Sequence, residues 1–320
     1  MKNVYLQGKA KKMISQKLYI LILVLILFMS ACSEKDSSSE ITSPVATPGI
    51  SIVNESDVST TDLESWTAAA AAKIKNQTAN ILSVSWNVGT QVSSGGFDRP
   101  YNTHQVVITD AKIESLMTSI SSWFDTTCMD SDTKSEELTK FRNYITNGAD
   151  ASSHLVMCKQ YRIIILGFPS TMAAADRKGL VIHEFFHAFQ KDISDDTCGV
   201  SSTNRRWLVE GGAQYFTVIH INGSSGVSKI LETALGDYQA DNDTDITGSG
   251  IASRGAAGIR HMIERDWLPE ASILDGSFFD SCESESDYTD SNSNVVSTKS
   301  LWYKIEESGG VYSFTSEAVP

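Results

Sequence analysis

The segment Leu180-Val-Ile-His-Glu-Phe-Phe-His-Ala-Phe-Gln190 constrains the fold more than any other stretch of this 320-residue chain. Val181, Ile182, Phe185, Phe186 and Phe189 wrap nearly all the way round a helix, so that helix belongs inside the protein. A buried helix that also carries His183, Glu184 and His187 must give them partners, because unpaired polar burial is costly. Positions 183 and 187 lie one turn apart on one face. Two imidazoles so placed can meet a single divalent cation, and Glu184 sits beside that cation rather than on it. The pattern is H-E-x-x-H, which chance supplies roughly 0.006 times in a chain of this composition, so coincidence does not explain it. Histidines satisfied by ordinary hydrogen bonds remain the alternative.

A second segment, Trp207-Leu-Val-Glu-Gly-Gly-Ala-Gln-Tyr-Phe216, places Glu210 23 residues after His187. Together the two segments resemble the gluzincin metallopeptidases, the zincin group that includes thermolysin and the metallo-aminopeptidases. The resemblance covers residues 177–217. It implies a zinc ion held by His183, His187 and Glu210, with Glu184 as the general base that takes the proton of the attacking water. It also implies a side chain at Gln214 that supports a zinc histidine; the family places an acid there, whereas an amide can only accept the imidazole N–H without adding charge. A donor for the developing oxyanion is required as well. Tyr215 and His261 are the first candidates, with His220 and Tyr238 behind them, and for each a structural role is the competing reading.

The chain carries a formal charge of −13 and 41% hydrophobic residues, a globular composition. Five lysines are the only charges in positions 1–31; without them 21 basic residues face 39 acidic ones, a net −18. So acidic a body argues against nucleic acid as a partner and against direct binding to an anionic membrane. Those lysines precede an apolar run, Leu18 to Met29, which reads as an export signal too short to span a membrane comfortably. Met29-Ser30-Ala31-Cys32 resembles the bacterial lipobox, which implies lipidation at Cys32, a lipid anchor as the only membrane contact, and a place in the cell envelope. Met1 or Met13 can start this signal. Cys128, Cys158, Cys198 and Cys282 are left, an even number that suits two disulfides in an exported chain. Three pairings are open, and sequence order favours Cys128–Cys158 with Cys198–Cys282.

Residues 32–60 are rich in Ser, Thr, Asp and Glu and are expected to form a flexible tether. A domain at 61–320 follows, with a sheet-containing half at 61–170 and a helical half at 171–320. Helices are expected near 61–74, 110–123 (capped by Asp110), 134–144, 172–191, 204–219, 226–238 and 251–266, and strands at 81–88, 104–109 and 161–168. The class is α+β, with a small mixed sheet packed against a mainly helical half that carries the metal site. The strand at 161–168 reads as core, with edge pairing to an extended peptide as the alternative. Residues 283–299 read as a polar loop. Asp241-Asn-Asp-Thr-Asp245 starts like a calcium loop but lacks the required Gly and Glu, and is expected to be solvated. The functional expectation is a hydrolase of protein or peptide bonds. A non-catalytic metal-binding surface protein and a hydrolase of non-peptide amides stay open beside it.

Overall fold

The computed structural model describes residues 49–75, 80–92, 103–127, 129–155, 161–193, 205–279 and 290–320. Strand β1 (Ile50–Glu55), helix α1 (Thr60–Ala71), strands β2 (Asn80–Gln91) and β3 (His104–Val106), helices α2 (Asp110–Phe124) and α3 (Ser131–Thr146), and strands β4 (Ser152–Leu155) and β5 (Tyr161–Pro169) come first. Helices α4 (Ala174–Ile193), α5 (Arg206–Asn222), α6 (Gly226–Asp241), α7 (Ile251–Glu264), α8 (Glu270–Leu274) and α9 (Ser293–Leu301) follow, and the hairpin β6 (Ile305–Ser308) and β7 (Val311–Phe314) ends the chain. The architecture is α+β with a small mixed sheet.

Strand β5 organises the molecule. It is buried from Arg162 to Phe168, as a strand covered on both faces must be. Its side chains alternate between two cores. Ile163 and Ile165 join Leu82, Val84, Trp86 and Val88 of β2 against α2 and α3. Ile164, Leu166 and Phe168 face the other way, onto Val181, Ile182, Phe185 and Phe189 of α4. The strand order is β1-β2-β5-β4, with β3 also on β2. The β1–β2 and β2–β5 pairs are parallel, and β4 runs antiparallel to β5. Strand β5 is therefore internal, so the core reading of 161–168 holds, and β4 ends the order among the described strands.

Four boundaries differ from expectation. Ile50–Glu55, expected in the tether, form β1 in register with Ile81–Trp86; the strand is half-exposed and polar at Ser51, Asn54 and Glu55, so it lacks an apolar signal. Helix α1 is capped by Ser59, whose hydroxyl accepts from the Asp62 amide at 3.1 Å, two residues ahead of the expected start at 61. Helix α2 has Thr109 at its cap and Asp110 in its first turn, where a carboxylate suits the helix dipole. Within the expected loop at 283–299, Asn292 caps α9 by accepting from the Asn294 amide at 2.8 Å, and Val295 and Thr298 are buried. Among the described residues no helix is long and apolar enough to cross a membrane. Cys32, Cys128, Cys158, Cys198 and Cys282, the expected signal and most of the expected tether lie outside the described residues.

Helices α5 and α7 approach through glycine. A Cβ on Gly211 would lie 2.4 Å from the carbonyl carbon of Gly255, and one on Gly255 would lie 2.2 Å from the Trp207 carbonyl oxygen. With its Gly211 side seated on α7, α5 presents Glu210 to α4.

Candidate metal centre

Helix α4 is apolar round most of its circumference, and Val181, Ile182, Phe185, Phe186, Ala188 and Phe189 are all buried. His183 and His187 occupy the remaining face. Glu210 reaches the same place from the second turn of α5. The Nε2 atoms of His183 and His187 are 3.0 Å apart. Glu210 Oε2 lies 3.5 Å from the first and 3.3 Å from the second.

This near-equilateral triangle tests the fit to a metal. Ligands 2.0–2.1 Å from a tetrahedral zinc stand about 3.3 Å from one another, and the three observed separations bracket that value. Each of the three atoms can present a lone pair, so a metal ion between them, or hydrogens on the imidazole nitrogens, would relieve their convergence. The three residues could therefore hold a metal ion. Their side chains keep small exposed fractions of 14%, 11% and 13%, so the group still touches solvent. Burial pushes the Glu210 carboxyl up, but the charges and hydrogen bonds of His187 and His183 outweigh it and hold the group far below the usual carboxylate range. Glu184, next to His183 on α4, is 7% exposed.

The support for an imidazole comes from a residue that the sequence reading passed over. Gln190 Oε1 stands 2.8 Å from His187 Nδ1, and Gln190 Nε2 donates to the Val209 carbonyl at 3.0 Å. Its position, three residues after His187 on the same helix face, is a signal that was available. Gln214 makes no hydrogen bond to either imidazole among the described residues.

Of the candidate oxyanion donors, Tyr215 and His261 are hydrogen-bonded elsewhere, and His220 and Tyr238 stack on aromatic rings. The Tyr215 hydroxyl donates to Glu270 Oε1 at 2.5 Å and accepts from Arg260 Nη1 at 3.4 Å. Five residues after Glu210 on a helix is about 140° round the axis, which explains the different direction. Burial and the Glu270 contact push its phenol well above the ordinary range. His261 is fully buried, with Thr298 Oγ1 at 3.0 Å from Nδ1 and the Ala318 carbonyl at 3.2 Å from Nε2. His220 stacks on Phe216 at 5.6 Å, and Tyr238 on Tyr303 at 4.8 Å.

The acidic loop has its own cation. The Arg254 side chain is fully buried, and its guanidinium donates to Asp241 at 2.7 Å, to Asp243 at 3.1 Å and to the Asp245 carbonyl at 2.7 Å. An internal guanidinium thus sits where a calcium loop would hold its ion. His104 is 8% exposed with its Nδ1 3.0 Å from Thr103 Oγ1, a local contact remote from the triangle in sequence. Comparison of the chain with family models, with curated proteins and with solved structures finds no match.

Proposed function

We propose that the chain is a zinc peptidase with a zincin-like fold, of gluzincin type, exported and held to the cell envelope by a lipid on Cys32. The observation that carries the reading is the triangle of His183 Nε2, His187 Nε2 and Glu210 Oε2, with sides of 3.0–3.5 Å. These three side chains would hold the zinc through two neutral nitrogens and one carboxylate, a set that leaves the fourth position for water or substrate, as a hydrolytic site requires. When bound, zinc supplies a Lewis acid that polarises a carbonyl and lowers the pKa of water.

The chain's residues do the rest. Glu184 takes a proton from the attacking water and passes it to the leaving nitrogen. A nearly buried carboxylate suits that work, because water competes poorly for it.

The test is to measure metal content and cleavage of a peptide library by the full chain, before and after chelation. Stoichiometric zinc, cleavage, and loss of cleavage on chelation support the proposal. Zinc without cleavage of any peptide overturns the peptidase reading and leaves a metal-binding surface protein or a hydrolase of other amides. No zinc overturns the whole of it.

A further inference from the structure

We infer that Gln190 is a positioning residue of this centre: its amide holds His187 as the Nδ1–H tautomer and ties that ring to the α5 backbone beside Glu210. The inference rests on the metal reading for its purpose, but its geometry stands independently.

Gln190 is 1% exposed, at the end of the apolar stretch of α4. Its Nε2 donates to the Val209 carbonyl at 3.0 Å. A carbonyl can only accept, so that bond decides which end of the amide faces α5. The other end, Oε1, is then the atom 2.8 Å from His187 Nδ1. An amide oxygen can only accept too, so Nδ1 carries the hydrogen. In a neutral ring the lone pair is then on Nε2, the atom that faces His183 and Glu210. The Val209 carbonyl thus sets the amide, the amide sets the tautomer, and the tautomer presents a ligand atom to the triangle.

The same amide fixes distance as well as electronic state. Val209 precedes Glu210, so one side chain spans from a ring on α4 to the backbone that carries the third candidate ligand. The room for it depends on Gly212. A Cβ there would lie 3.1 Å from Gln190 Nε2 and 2.8 Å from Phe279 Cζ. The second glycine of the Glu210-Gly-Gly212 run therefore admits the amide, while the first admits α7.

The experiment uses the full chain as wild type, Gln190→Glu and Gln190→Met. Zinc affinity is measured by competition with a chromogenic chelator, and the His187 tautomer by nitrogen-15 NMR of the metal-free protein at alkaline pH. The Gln190→Met change removes both bonds and is expected to weaken zinc binding by about 10–100-fold. The Gln190→Glu change keeps an acceptor for the Nδ1 hydrogen but loses the bond to the Val209 carbonyl, and is expected to weaken zinc binding clearly less than Gln190→Met does. Wild-type His187 is expected as Nδ1–H, with Gln190→Met moving toward Nε2–H. Equal weakening in the two variants overturns the inference, since a packing role alone treats them alike. An Nε2–H ring in the wild type also overturns it. If the wild type binds no zinc, the proposed function fails, and the tautomer still decides the role of Gln190.

Discussion

Glu184 and Glu210 are assigned different work, so substitution separates them. Glu210→Ala removes one of three ligands, and zinc content is expected to fall sharply, with cleavage lost in consequence. Glu184→Gln keeps the side-chain volume and removes the base. Zinc content is expected to hold while kcat/KM drops by about 10²–10⁴-fold, the usual contribution of a positioned base. Metal analysis beside peptide cleavage distinguishes the two, and a Glu184→Gln enzyme that cleaves at the wild-type rate defeats the assignment. At this scale the grouping of His183, His187 and Glu210 was legible in sequence because helical spacing is local and their residue types are chemically restricted. Gln190 was not singled out, because an amide at the end of an apolar run looks like any helix residue until Val209 is known to stand opposite. Tyr215 and His261 show the converse. Both residue types can donate to an oxyanion, but direction is set by packing, which turns Tyr215 to Glu270 and His261 to Ala318.

Elements were legible where burial writes a period into the sequence. Strand β5 and helices α4 to α7 fall within a few residues of expectation, because each buries a broad apolar face. Strand β1, helix α9 and the β6–β7 hairpin were not expected; each is short or polar, and its place depends on partners distant in sequence. Glycine makes the same point about energetics. Gly236 in α6 has nothing within 4 Å of where a Cβ would be, whereas the Gly211 position meets α7 backbone at 2.4 Å. Gly236→Ala is expected to stabilise the fold by about 0.5–1 kcal/mol through helix propensity. Gly211→Ala is expected to destabilise it by about 1–3 kcal/mol and to weaken metal binding, because the clash is with backbone and α5 must shift. Chemical denaturation of the two variants checks the signs. A Gly211→Ala protein as stable as wild type would mean that α5 and α7 do not meet as described.

Over the whole molecule, the polypeptide returns to α7 at its end, and His261 records that closure. Its ring accepts from the Thr298 hydroxyl on α9 and donates to the Ala318 carbonyl near the terminus, so one buried neutral imidazole joins three separate segments. Desolvation depresses its pKa below the ordinary 6.5; the Ala318 contact acts in the opposite sense, Arg265 adds to the depression and Glu264 opposes it. The consequence for stability has a definite sign. Above about pH 6.5 the ring is neutral in both folded and unfolded chains and contributes no pH dependence. Below that, the unfolded chain binds a proton that the folded one resists, so stability falls as pH falls from 6.5 toward the depressed folded pKa. The slope from one such group cannot exceed about 1.4 kcal/mol per pH unit. His261→Gln offers an amide that can still donate to Ala318 and accept from Thr298, but it cannot titrate. Both proteins are to be unfolded thermally in excess chelator, so that proton competition at the metal ligands contributes equally. Wild type is expected to lose more Tm between pH 7.5 and 5.5 than His261→Gln does, with the difference setting in near pH 6.5. Parallel curves would show that the imidazole is protonated without cost, and hence that the carboxy-terminal segment does not seal it from water.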